Sequence, residues 1–156
     1  MPAPAPVDTS KLADLALYTM KRAPFPMLAT VDREGMPRVR PISPLRNDVF
    51  TVWAASLRSS NKTAEVENNS AVELCYMDEG HDQVRISGRA ERIEDRETKL
   101  ELWDSTPLLR QFLGSVDNPE FVLYRIRPER VRFMREWALE YFEVPFREEN
   151  TLPDGD

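Results

Sequence analysis

The sequence predicts a mainly β (α+β) domain of antiparallel strands, arranged as a sandwich or barrel with a few peripheral helices. Three observations predict it. About seven short segments rich in β-branched and aromatic residues recur along the chain, separated by polar turns. Helical periodicity is confined to short stretches before and between them. No repeat or internal linker divides the 156 residues, a length that suits one domain with a sufficient core.

The start, Met1-Pro-Ala-Pro-Ala-Pro6, lacks the charged head and apolar centre of a signal peptide and reads as a stiff, disordered arm over residues 1–9. Ser10 to Arg22 reads as a helix. Leu12, Leu15, Ala16 and Thr19 recur at i, i+3, i+4 and i+7, and Ala13, Leu17 and Met20 broaden the stripe. Asp8, Thr9 or Ser10 can cap it, and Pro24 and Pro26 end it. A three-stranded antiparallel meander follows: Phe25 to Asp32, the turn Arg33-Glu-Gly35, Met36 to Leu45, the turn Arg46-Asn-Asp48, and Val49 to Ala55.

Ser59 to Asn69 is the next helix, with Ser59 or Ser60 as N-cap. Ala71 to Met77 and Gln83 to Ile93 are strands joined around Asp78-Glu-Gly-His-Asp82, and Gly88 inside the second marks a bulge or a close backbone approach. Asp95 to Asp104 is a polar helix with Leu100 and Trp103 on one side. Thr106-Pro107 restarts a helical turn that Gly114 closes. Two strands hinged at Pro128, Phe121 to Arg127 and Arg130 to Phe142, complete a single domain over 10–147. Residues 148–156 read as an acidic, flexible tail.

Composition narrows the function classes. A formal net charge of −6 argues against nonspecific binding to nucleic acid. No apolar run approaches the roughly 20 residues needed to cross a bilayer. One cysteine excludes an internal disulfide framework and suits a reducing cytoplasm; Cys75 itself reads as a small buried hydrophobe. Cys75 and the single histidine, His81, cannot build a conventional zinc site, so no metal is expected. The basic residues are uneven: Arg33, Arg38, Arg40 and Arg46 fall close together, followed by Arg58 and Lys62. Such a cluster in an acidic chain fits a small anionic ligand.

The strongest local signal combines Arg38-Val-Arg-Pro-Ile-Ser43 with Ser59-Ser-Asn-Lys-Thr-Ala-Glu-Val66. The second stretch opens a helix directly after a strand, where free backbone N–H groups and the dipole favour a phosphate. Lys62 adds a charge, Ser59 or Ser60 a hydroxyl, and Arg38 a bidentate fork. The plain alternative makes Ser60 an ordinary cap and Lys62 a solvated lysine. Pro41 interrupts a regular ladder, which either frees the backbone around Ile42 and Ser43 for a ligand or marks an edge strand. Gln83 is either a surface amide or a donor–acceptor pair for the polar edge of a heteroaromatic ring. Trp103 belongs to a core stripe, whereas Trp137 serves either interface packing or a ring-facing role.

Taken in order, Arg38 to Ser43, Val49-Phe50, Ser60-Asn-Lys-Thr-Ala-Glu-Val-Glu-Asn-Asn69 and Gln83-Val-Arg-Ile-Ser-Gly-Arg-Ala-Glu-Arg-Ile93 resemble the flavin-binding core of the pyridoxamine 5′-phosphate oxidase family. They are closer still to its shorter general stress protein 26 type. The resemblance covers Phe25 to Ile93 well and the rest in outline. It implies a split β-barrel that works as a homodimer, with FMN at the interface. Arg38 and Lys62 would bind the FMN phosphate, with Ser60 beside it. Val39, Arg40, Pro41, Ile42 and Ser43 would run along the isoalloxazine and ribityl chain. Gln83 would reach the ring edge across the interface, and Trp137 is kept as a ring-facing candidate. Three departures argue against vitamin B6 oxidation. Asn61 stands where the oxidases pair an arginine with the lysine, Ser43 replaces a substrate-contacting lysine, and the C-terminal stretch Tyr141-Phe-Glu-Val-Pro-Phe146 lacks the arginine and histidine signature.

The expected function is an FMN-dependent oxidoreductase with a small-molecule electron donor and acceptor. The alternatives are a flavin-storing module without turnover and an F420-dependent reductase on the same fold. Haem would require His81, a loop residue, as its ligand. No nucleophile or clear general base is evident, so catalytic residues stay unassigned.

Overall fold

Strands β6 (Gln83–Ile93) and β7 (Phe121–Met134) are the longest in the chain and pair antiparallel throughout β6, forming the spine of the sheet in this computed structural model, which describes residues 2–147. The remaining strands are β1 (Met27–Val31), β2 (Pro37–Pro41), β3 (Arg46–Asp48), β4 (Thr51–Leu57), β5 (Ala71–Met77) and β8 (Phe142–Glu143). They form one eight-stranded antiparallel sheet in the order β2-β1-β5-β6-β7-β4-β3, with β8 also beside β7. Helices α1 (Leu12–Arg22), α2 (Asn61–Asn68), α3 (Arg96–Asp104) and α4 (Pro107–Leu113) lie around it. No helix among the described residues is long and apolar enough to cross a membrane.

Local chemistry explains these elements. Asp8 accepts a hydrogen bond from the Ser10 N–H at 3.0 Å and starts a short 3-10 turn that runs into α1, whose buried stripe is Leu12, Ala16, Thr19 and Met20. That stripe closes the main core, which includes Leu28, Val52, Leu74, Tyr76, Val84, Ile86, Ile126 and Phe133. A second core joins Trp53, Leu102, Trp103, Leu109, Phe121 and Leu123 beneath α3 and α4. Asp95 caps α3, and Gly114 closes α4 at a φ of 74°. The arm's Val7 packs against the main core.

The register of β6 on β7 shifts between Ser87 and Gly88. An added Cβ at Gly88 would lie 2.3 Å from the Arg127 carbonyl oxygen, so only glycine fits the bulge. Pro128 faces Gly88 across this irregularity, where a missing N–H breaks no regular ladder bond. The expected hinge at Pro128 is therefore absent, and β7 runs through it to Met134.

Other expectations are corrected. The meander does not form: β1 and β2 make the predicted hairpin, but β4 pairs with β7 and β3 at the other end of the sheet. Arg46–Asp48, expected as a turn, is strand β3. Its polar side chains find partners there, with the Trp53 indole N–H donating to Asp48 at 2.9 Å and Arg46 stacked 5.4 Å from the Trp53 ring. The chain reverses instead at Val49, with φ at 53°. Trp137 leaves the ladder in a turn between β7 and β8, also with a positive φ of 63°. Cys75 is half-buried, on the strand face opposite Leu74 and Tyr76. The acidic tail, 148–156, lies outside the described residues.

Candidate functional site

The β1–β2 hairpin and the first turn of α2 meet at an open cleft of about 760 Å3, a size typical of small-ligand sites. Arg38, Val39 and Arg40 enter it from β2, and Asn61 and Lys62 from α2. Lys62 is half-buried and has no hydrogen bond or ion pair among the described residues. Burial, reinforced by the nearby Arg40 guanidinium, depresses its pKa below the ordinary 10.5. An ammonium in that position gains from any anion that joins it.

The two arginines are held differently. Arg38 is exposed and pairs with Asp32 at 3.0 Å. The Asp32 carboxyl lies below the usual range, chiefly through the Met36 N–H and with help from Glu34 and Arg38. Arg40 is three-quarters buried and reaches Glu65 of α2 at 2.6 Å. Arg40 also donates to Thr30 Oγ1 at 2.7 Å, and Thr30 Oγ1 donates to Glu65 at 2.5 Å. This closed network ties β1, β2 and α2 together and neutralises Arg40; the other cations of the cleft are Lys62, Arg33 and Arg38, the last shared with Asp32.

Ser60 is the N-cap of α2. Its hydroxyl accepts from the Thr63 N–H at 3.3 Å and lies 3.1 Å from both Ser56 and Thr63 hydroxyls. Its capping role is therefore real; it borders the cleft through its place beside Asn61, without lining it. Strand alternation divides the stretch Arg38 to Ser43. Arg38, Arg40 and buried Ile42 point toward α2 and the core, while Val39, Pro41 and Ser43 are exposed. The edge position of β2 accounts for Pro41, and the Ile42 N–H is engaged with the Pro26 carbonyl at 2.9 Å. Its backbone is thus not open to a ligand.

Gln83 and Trp137 lie elsewhere. Gln83 opposes Met77 and shares a sheet face with Cys75 and Met27, the face opposite Arg38. By strand spacing it stands on the order of 20 Å from Arg38 within one chain. Tyr141 donates to its Oε1 at 3.3 Å. Trp137 is half-exposed and lines a separate apolar cleft with Pro4–Val7, Leu139 and Phe142. Its turn is clamped to the strand that Gln83 begins: Asp82 takes Arg135 at 2.9 Å and the Glu136 N–H at 2.9 Å, and His81 Nδ1 lies 2.8 Å from Glu136.

Sequence reasoning missed Asp32 and Glu65 as cleft residues, and Tyr141 beside Gln83; Asn61, singled out beside Lys62, does line the cleft. Glu65 follows Lys62 by three residues and so shares its helical face, a readable signal. Its pairing with Arg40 is non-local and carried none. Chemically the cleft can grip one compact anion between a lysine and an arginine fork, with an apolar strand edge beside it.

Comparison with known proteins bears on the family and the fold. The family described as pyridoxamine 5′-phosphate oxidase matches residues 14–135. General stress protein 26 of Bacillus subtilis (strain 168) is 31% identical over 111 residues, covering 69% of this chain and 76% of that protein. A solved structure of a Clostridium acetobutylicum protein related to general stress protein 26 has a TM-score of 0.74 at 18% identity, covering 88% of this chain and 97% of its own. A pyridoxamine 5′-phosphate oxidase-related, FMN binding protein of Nostoc punctiforme PCC 73102 has a TM-score of 0.68 at 16% identity, covering 83% and 86%. At such identities the two structures establish the fold alone, and that fold is the split β-barrel.

Proposed function

The chain belongs to the pyridoxamine 5′-phosphate oxidase family, and on that premise we propose that it is a homodimeric, FMN-binding oxidoreductase of the general stress protein type. The observation that carries this reading is Lys62: a half-buried cation without an ion pair among the described residues, sharing a cleft with the Arg38 fork. A flavin phosphate supplies the missing anion, held by the lysine as a point charge and by the arginine as a planar fork. The FMN-binding protein of Nostoc punctiforme, on the same fold, supports the choice of ligand.

When bound, FMN supplies the electron-transfer chemistry. The chain's own residues bind and orient it. Arg38 and Lys62 hold the phosphate end, Val39 and Ser43 offer an exposed strand edge to the rest, and Gln83 presents an amide to the ring edge. Because Gln83 and Arg38 occupy opposite sheet faces of one chain, a shared ligand draws its Gln83 from a second copy, which supports the homodimer. Exposed Met27, Val39 and Met77 give the Gln83 face the apolar character that a second copy would cover. A small-molecule electron donor and acceptor complete the reaction. The absent lysine at Ser43 argues against vitamin B6 phosphates as substrates. A single free thiol is compatible with work in the cytoplasm.

The test is direct. Purified protein is mixed with excess FMN, freed of unbound flavin by gel filtration, and its visible spectrum recorded. Flavin bands in a dimer-sized peak, abolished in Lys62→Ala with Arg38→Ala, are the expected result. A colourless protein overturns the FMN reading, and direct binding of F420 then decides between another cofactor and an empty barrel. Reduction by nicotinamide cofactors no faster than that of free FMN would leave flavin storage as the function.

A further inference from the structure

On the sheet face that carries Gln83, Arg85 is a half-buried cation without a carboxylate partner among the described residues. It follows Gln83 by two residues on β6, opposite Cys75 of β5 and Arg132 of β7. The acids around it are already engaged. Arg132 pairs with Glu73 at 2.9 Å, Ser87 donates to the same glutamate at 2.7 Å, and Arg130 pairs with Glu143. Arg85 makes no ion pair and no hydrogen bond among the described residues. This patch thus holds Arg85, Arg130 and Arg132 against two glutamates, an excess of positive charge in a chain of net charge −6.

Tyr141 shapes the position. Its ring lies 5.0 Å from the Arg85 guanidinium and 5.5 Å from that of Arg132, and its hydroxyl is bound to Gln83. The Arg85 Nε is buried without a hydrogen-bond partner. An incoming group therefore meets the fork end-on, through the two terminal nitrogens. Half-buried guanidinium groups are seldom left unpaired, because the charge loses hydration without recovering it from a partner. A planar carboxylate or a phosphate oxyanion matches those two donors.

We propose that Arg85 seats the carboxylate or phosphate group of a second small-molecule ligand, distinct from the FMN phosphate. Gln83 and Arg85 are roughly 7 Å apart along the strand. With Gln83 at the flavin ring edge, this seat lies beside the ring, and the ligand is the anionic small molecule that shares the site with FMN. That placement rests on the flavin reading; the anion seat itself does not.

The experiment follows the Arg85 Nε–H resonance of FMN-loaded, full-length protein, identified by its loss in Arg85→Lys. Acetate and inorganic phosphate are titrated separately at constant ionic strength. A saturating shift with either anion is expected, with binding at least tenfold weaker in Arg85→Gln. Lys62→Ala should strip FMN and leave the Arg85 response in place. A resonance indifferent to both anions overturns the proposal. So does one that moves only with protein concentration, since a carboxylate of a second copy would then be the partner. A colourless protein whose Arg85 still responds would remove the flavin reading and keep the seat.

Discussion

The Glu65 carboxylate and the Arg40 guanidinium meet at 2.6 Å where α2 packs against the β1–β2 hairpin, and Thr30, almost fully buried, donates to the same carboxylate oxygen. The pair holds Lys62, one turn earlier on α2, over the cleft that Arg38 enters from β2. Stability of the hairpin and geometry of the anion site therefore share one carboxylate.

Glu65→Gln keeps the shape and removes the charge, leaving Arg40 with no counter-ion. Truncating one partner of a buried pair costs about 3–5 kcal/mol; the residual exposure here lowers the expectation to about 2 kcal/mol. Urea denaturation should report that loss, with weaker FMN retention alongside. A midpoint equal to that of the wild type would show that the pair is structurally idle.

Lys62 predicts a pH dependence with a definite sign. Its folded-state pKa lies below 10.5, so between the depressed value and 10.5 the unfolded chain binds more protons. Stability of the FMN-free protein should therefore rise with pH across that window. FMN affinity should fall over the same window as the ammonium is lost. Lys62→Met should flatten both trends, and a pH-independent affinity in the wild type would remove Lys62 from the phosphate site.

Gly88→Ala places a methyl group 2.3 Å from the Arg127 carbonyl oxygen, so β6 or β7 must shift. A loss of about 1–3 kcal/mol is expected, as for other forced overpacking. Thermal unfolding checks it, and a loss under about 0.5 kcal/mol would mean that the bulge can widen.

Trp137→Gly relieves a non-glycine residue at a φ of 63° while removing a half-exposed ring. The two effects oppose each other, so stability should change by less than about 1 kcal/mol. Bound-flavin fluorescence is the informative signal. A several-fold rise on removing the indole supports a ring-facing Trp137, and unchanged emission leaves it to packing at the arm and the β7–β8 turn.

What the sequence determined by itself was set by neighbours along the chain. The Ser60 cap, the α1 stripe from Leu12 to Met20 and the limits of β5 and β6 all follow from short-range sterics, hydrogen bonding and periodicity, whereas the need for glycine at Gly88 comes from the Arg127 carbonyl across the sheet. The motif order from Arg38 to Ile93 likewise carried the family. Tertiary structure alone decided the non-local pairings. It separated β2 from β4, made a strand of Arg46–Asp48, ran β7 through Pro128, and set Arg40 on Glu65. It also put Gln83 on the face opposite Arg38, because strand alternation assigns faces only after the register between distant strands is known.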